Sequence, residues 1–181
     1  MKQPPKGAIF EKMRMKKCDF YQAALQRLVD DVGNILQLVD GFNRNSERKI
    51  GFWSSIRLLM PIIEAVASVS GQKPQELLKN NLDVKTPYLA WDLFRHSLMH
   101  GDYLQHAKYK NKKVGWGVSL MGAGHIVRSG HIGIDTPFLY QKLKEYLESE
   151  VAKNDQTIVE IEVGVLYQSP KQEIIDDFVK L

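Results

Sequence analysis

Between Asp19 and Phe94 the apolar residues recur at three- and four-residue steps, a period that specifies amphipathic helices. Phe20, Ala24, Leu28, Val32, Ile35 or Leu36, and Val39 form the first stripe, and Asp19 stands where an N-cap is expected. Gly33 weakens that helix without breaking it, and the stretch from Gly41 to Asn45 closes it. Ile56, Leu59, Ile63, Val66 and Ala67 make the stripe of a second helix spanning residues 52–70. Pro61 removes a backbone donor from its middle, which predicts a kink or a restart. Gly71 suits the end of that helix. Lys73-Pro74 opens a short helix through Leu78, and Thr86-Pro87 opens the next, with Thr as cap and Pro as first helical residue.

After Gly101 the period changes. Trp116, Val118, Leu120, Ile126, Ile132 and Ile134 sit among glycines and predict a hairpin-like pair of strands, 113–121 and 125–135, turning at Gly122-Ala123-Gly124. That glycine turn lacks the Lys-Ser/Thr partner and the following helix of a phosphate loop. Thr136-Pro137 then predicts a helix to Ala152. Alternation of β-branched residues predicts a strand over residues 157–167, and Ser169-Pro170 a last short helix through Val179. The fold class is therefore mainly α: a helical bundle with a small β-hairpin element after the helix at 88–103, and a C-terminal helix–strand–helix segment. Residues 1–17, with Pro4-Pro5 and Gly7, show no period and read as a loose arm, helical at most near its end. The expected division is a basic arm over 1–18, a helical core over 19–110, and residues 111–181 packed on that core as one domain.

Charge is unevenly spread. Residues 1–17 hold six basic residues against one acid, a net +5, whereas residues 145–181 hold nine acids against three lysines, a net −6. The basic start, and a run of Lys108, Lys110, Lys112 and Lys113, attract polyanions. The plainer reading of such lysines is a solvated surface. The most apolar stretch, 56–69, is interrupted by Arg57, Pro61 and Glu64, so no membrane span is expected. With no secretory signal, and with Cys18 alone and so without an internal disulfide partner, the expected location is the cytoplasm.

Tyr88 to Tyr103 carries the chemistry. With Arg95 at zero on an α-helical wheel, Asp92 falls at about 60°, His96 at about 100° and His100 at about 140°, with Tyr103 inside the same sector at about 80°. Trp91, Phe94 and Leu98 fall on the opposite side. A carboxylate, a guanidinium and two imidazoles thus share one stripe. RNA carries its own nucleophile, the 2′-OH. Metal-free cleavage needs a proton acceptor beside it, which histidine provides, and a cation on the phosphate, which the arginine fork provides.

The string Arg95-His96-Ser97-Leu98-Met99-His100-Gly101 resembles the Arg-polar-x-x-x-His motif of the HEPN superfamily, and the aromatic run before it, Tyr88 to Phe94, fits the same pattern. The segment Ile62-Ile63-Glu64-Ala65-Val66-Ala67 is similarly placed ahead of the motif. His96 takes the position most often held by Asn. The resemblance implies an all-α HEPN-like bundle over residues 19–110, a homodimer with the motif at a cleft, and metal-independent endoribonuclease activity without a cofactor. It assigns phosphate binding to Arg95 and acid–base work to His100. His96, Asp92 and Tyr103 then bind or orient the substrate. It also implies RNA and an antitoxin or nucleotidyltransferase-like protein as partners. A non-catalytic HEPN module that binds nucleic acid, a nucleotide or a protein is the alternative from another class.

Two further readings compete. Asp92, His96 and His100 stand at i, i+4 and i+8, a metal-ligand stripe. Its outer members lie about 12 Å apart along the axis, so ligands from elsewhere (His106, His125, His131 or Glu64) would have to complete it. Alternatively Arg95 pairs with Asp92 and the histidines satisfy backbone carbonyls, a purely structural arrangement. Trp53, Trp91 and Trp116 read as core anchors rather than base-stacking platforms, and Cys18 as an inert thiol.

Overall fold

The computed structural model describes residues 8–44, 52–97, 106–109, 112–128 and 130–167. These are rich in helix, with two small sheets. The predicted last helix, 169–179, and the glycine and proline residues at the start of the chain lie outside the described residues.

The first predicted helix forms in three parts. Helix α1 (Lys17–Arg27) runs into a π-wound segment, Leu28–Gly33, and then into α2 (Asn34–Arg44). Lys16, not Asp19, occupies the N-cap position, and Asp19 sits in the first turn where its charge complements the helix dipole. Gly33 has a packing reason: a Cβ there would meet the Tyr140 hydroxyl at 3.0 Å, so the bare backbone admits that ring. Helix α3 (Phe52–Ser70) carries Pro61 without ending there. It turns through 95° into α4 (Pro74–Asn80) across Gly71, whose φ of 72° suits glycine. No single described helix is long and apolar enough to cross a membrane.

The core is a continuous cluster. Tyr21, Leu28 and Val32 meet Ile56, Leu59, Ile63 and Val66 of α3, together with Leu77 and Leu78 of α4. Helix α5 (Pro87–Trp91) and a second π-wound segment, Asp92–Ser97, add Trp91 and Phe94. Phe94 and Trp53 both meet Trp116 edge-on, at 5.1 and 5.3 Å between ring centres, and Trp91 and Trp116 are buried. Tryptophans 91 and 116 are core anchors. Helix α6 (Thr136–Ala152) contributes Leu139, Leu143 and Leu147, four residues apart on one stripe.

The β structure departs from the sequence reading in two places. Residues Ala8–Lys16 are a strand, β1, where a loose arm was expected. It pairs antiparallel with β6 (Ile158–Tyr167), from Lys16 opposite Ile158 to Ala8 opposite Tyr167. Glu160 accepts from Lys12 at 3.2 Å and from Arg14 at 3.1 Å across that ribbon.

The predicted hairpin of 113–121 with 125–135 does not form. Strands β2 (His106–Tyr109), β3 (Lys112–Ser119), β4 (Ile126–Arg128) and β5 (His131–Asp135) make one sheet in the order β2-β3-β5-β4. β5 lies between β3 and β4 and runs parallel to β3, so Gly122-Ala123-Gly124 belongs to a crossing loop rather than a hairpin turn.

Asp135 holds that loop. Its carboxylate, 1% exposed, accepts from the Phe138, Gly122 and Ala123 amides at 3.1, 3.1 and 3.2 Å and from the Ser119 hydroxyl at 3.3 Å. It is at once the N-cap of α6 and the anchor of the β3–β4 crossing.

His125 completes the anchor from the other side. Its Nδ1 accepts the Asp135 amide at 3.1 Å, so this nitrogen carries no proton. Its ring meets Phe138 edge-on at 5.2 Å, and its enclosed Nε2 faces the Leu82 carbonyl without closing a hydrogen bond of normal geometry. Burial lowers its pKa below the ordinary 6.5, against the opposing pull of the Leu82 carbonyl, Asp135 and Asp83. The unfolded chain therefore takes up this proton first as pH falls. The contribution is intact above about pH 6.5 and is lost as pH drops from there toward the folded pKa. In thermal melts from pH 7.5 to 5.0, the wild type is expected to lose more stability than His125→Gln. Equal slopes would show that His125 is not the titrating group.

Candidate functional site

The motif segment is placed by its apolar neighbours. Trp91 and Phe94, both buried, fix the winding from α5 into Asp92–Ser97. Arg95 follows Phe94 directly, at the rim of the core. On the facing helix, Ile63 and Val66 point into the core, and Glu64 falls on the exposed side between them. The two meet: Arg95 Nη2 lies 2.8 Å and Nε 2.9 Å from Glu64 Oε2. The side chain of Arg95 is 22% exposed and that of Glu64 48%. A pair this open to water contributes at most about 1 kcal/mol to stability, so its consequence is positional. Two nitrogens on one oxygen fix the plane of the guanidinium.

The structure pairs Arg95 with Glu64, a residue of another helix, whereas spacing within the motif helix pointed to Asp92. Asp92 is exposed and has an interaction of its own. The backbone of His96 lies in the same segment. His100 and Tyr103 lie outside the described residues. The π-wound segment also changes the geometry assumed for the stripe. Its hydrogen bonds run from i to i+5, so a turn holds more residues than in an α-helix, and angles drawn at 100° per residue do not carry over from Asp92 to Ser97. Such segments occur frequently at functional sites.

The other histidines named as supplementary metal ligands lie on the β2-β3-β5-β4 sheet or its crossing loop. His125 is engaged by Asp135, His131 rests over the glycines of β3, and His106 is on β2. Among the described residues no three His, Cys, Asp or Glu side chains are grouped closely enough to hold a metal ion. Cys18 is buried, and Gln156 donates to its sulfur at 3.3 Å.

A separate open cleft of ≈ 420 Å³ lies between α2, the β3–β4 crossing and α6. Leu36, Gln37, Asp40, Met121, Tyr140 and Gln141 are among its lining residues, and neither Arg95 nor Glu64 reaches it. The Glu64–Arg95 pair and this cleft are thus different places on the molecule. The Glu64–Arg95 pair could not be found from spacing, because its members are 31 residues apart on separate helices. The sequence signals were a carboxylate interrupting an otherwise apolar stretch and the place of that stretch ahead of the motif, which had put Glu64 among the possible metal ligands and not as a partner of Arg95.

No protein-family model, curated protein or solved structure matches this chain.

Proposed function

We propose that this protein is a HEPN-like, metal-independent endoribonuclease in which Arg95 holds the scissile phosphate and His100 moves the proton. The observation that carries the reading is the Glu64–Arg95 pair. An arginine inside an Arg-polar-x-x-x-His string is pinned in one plane at the rim of a helical core. In the proposed step, His100 takes the proton of the 2′-OH, whose oxygen attacks phosphorus. The bond to the 5′-oxygen breaks as that oxygen gains a proton, leaving a 2′,3′-cyclic phosphate and a 5′-hydroxyl. Arg95 stabilises the charge that builds on the non-bridging oxygens. His96, Asp92 and Tyr103 orient the strand. Two copies of the motif helix close the cleft in a homodimer of HEPN-like bundles, and the natural partner is an antitoxin or nucleotidyltransferase-like protein.

The same ion pair supports a second reading, a HEPN-like module in which Arg95 merely ties two helices while the surface binds nucleic acid, a nucleotide or a protein. Incubation of mixed-sequence RNA with purified protein in EDTA separates the two. Cleavage that disappears in His100→Ala fits the enzyme, and intact RNA with both proteins at every pH sinks it. Cleavage that requires added divalent metal would instead favour the Asp92/His96/His100 metal site.

A further inference from the structure

Residues 120–125 carry the chain from β3 to β4, and none of residues 120–124 is buried. Their side chains therefore do little to hold the crossing. Gly122 and Gly124 have φ of 68° and 104°, and no atom lies within 4 Å of where a Cβ would stand on either. What fixes this backbone is polar. The Gly122 and Ala123 amides donate to the Asp135 carboxylate, and His125 Nδ1 accepts the Asp135 amide at 3.1 Å. The Met121 amide donates to the Ser119 hydroxyl at 3.3 Å, and that hydroxyl donates to the same carboxylate. The crossing also walls the open cleft, through Leu120, Met121 and Gly122.

The His125–Asp135 bond exists in one protonation state. A backbone amide only donates, so Nδ1 must offer a lone pair, and the single ring proton sits on Nε2, facing the Leu82 carbonyl. A second proton has only Nδ1 to go to. There it points at the Asp135 N–H, donor against donor, and the contact is lost. The charged groups that face the ring among the described residues are Asp135, from the β5–α6 junction, and Asp83, from the turn after α4. Lys142 of α6 has its Nζ 5.7 Å from the centre of the Phe138 ring that His125 meets edge-on. Both carboxylates attract an imidazolium. Asp135 is also the residue that holds the Gly122 and Ala123 amides, so a charged His125 competes for the anchor of its own loop. His125 belongs to no group of described side chains that could hold a metal ion.

We infer that protonation of His125 releases the β3–β4 crossing from Asp135 and opens the cleft, while the helical core stays folded. The sign follows from linkage. In the closed crossing Nδ1 holds no proton, whereas a ring released into water titrates near the ordinary value of about 6.5. Acid therefore favours the released crossing from about pH 6.5 downward, and neutral pH the closed one. The two glycines, each in the left-handed region and open on the side of the missing Cβ, give the freed backbone room to swing. Leu120, Met121 and Gly122 move with it, and the cleft loses the wall that faces α2 and α6. The device holds whether or not Arg95 and His100 cleave RNA, since neither Arg95 nor Glu64 reaches the cleft.

Hydrogen exchange on the full chain between pH 7.5 and 5.0, corrected for the intrinsic rate of each amide, reads the release directly. The Gly122, Ala123 and Asp135 amides should lose protection by roughly five- to thirtyfold, the upper figure being the ceiling for an open ring that titrates at about 6.5. Their exchange should be unmoved by low urea, the mark of a local release, whereas exchange of Ile63 and Val66 in the core speeds with it. His125→Gln, which has no titrating ring, should abolish the pH dependence, and His131→Gln, exposed on β5, should preserve it. Nitroxides on Gln37→Cys/Met121→Cys, two exposed positions that line the cleft, should move apart at pH 5.0. Protection that does not change with pH, a urea dependence matching that of the core, or a pH dependence that persists in His125→Gln overturns the inference. So does an unchanged distance between the nitroxides. Should His125→Gln fail to fold, the wild type decides alone. An NMR titration of the His125 ring whose midpoint coincides with the amide release supports the inference, and a midpoint clearly displaced from it overturns it.

Discussion

Arg95→Ala is expected to lower the rate of RNA cleavage by about 10²–10³-fold and to leave thermal stability nearly unchanged. The first figure is the usual consequence of removing one preorganised donor from a developing oxyanion. The second comes from exposure: Glu64 is half open to water, so it loses its partner without becoming a buried, unpaired charge. Arg95→Lys should recover little, because a point charge cannot hold the two-nitrogen contact that fixes the plane of the fork. Glu64→Gln should cost less than Arg95→Ala, since the amide oxygen still accepts from the guanidinium. Cleavage rates and melting temperatures for all three variants check the ranking. If Arg95→Ala unfolds the protein, or leaves cleavage intact, the side chain is a structural tie and not a phosphate ligand.

Asp135→Ala should be the most destabilising polar substitution among the described residues, by about 3 kcal/mol. One carboxylate accepts from three backbone amides and a hydroxyl, and alanine accepts from none. The helix cap accounts for about 1 kcal/mol of that. The Gly122 and Ala123 amides and the Ser119 hydroxyl supply the rest, because the loop that carries them loses its anchor to β5. Asp135→Asn keeps one acceptor oxygen in place and should cost roughly half as much. Urea unfolding gives both numbers directly. A loss below about 1 kcal/mol for the alanine variant would mean that the β3–β4 crossing is held by its packing alone.

The helical part of the fold was legible because each helix buries one stripe, and Ile56, Leu59, Ile63 and Val66 display the period without help from the rest of the chain. The strands were not legible to the same degree. β1 finds its partner about 150 residues away, Lys12 and Glu160 being separated by 148 positions, and no local period reports such a pairing. β4 and β5, three and five residues long, are too short for alternation to reveal that β5 inserts between its neighbours and runs parallel to β3. The π-wound segments escaped for a different reason. A single extra residue in a turn leaves the apolar period almost intact, yet it rotates every later residue about the helix axis. At the candidate site, Arg95 could be picked out by its company in sequence. Its carboxylate partner could not, because contact between α3 and the motif segment is set by tertiary packing.

Cleavage of a mixed-sequence RNA in EDTA, beside a fully 2′-O-methylated copy of it, tests most directly whether Arg95 and His100 form a nuclease. Wild-type protein should cut only the RNA, leaving 2′,3′-cyclic phosphate and 5′-hydroxyl ends, and His100→Ala should slow that reaction by about 10²–10⁴-fold. Equal cutting of the methylated copy, 5′-phosphate ends, or undiminished cleavage by His100→Ala would contradict it.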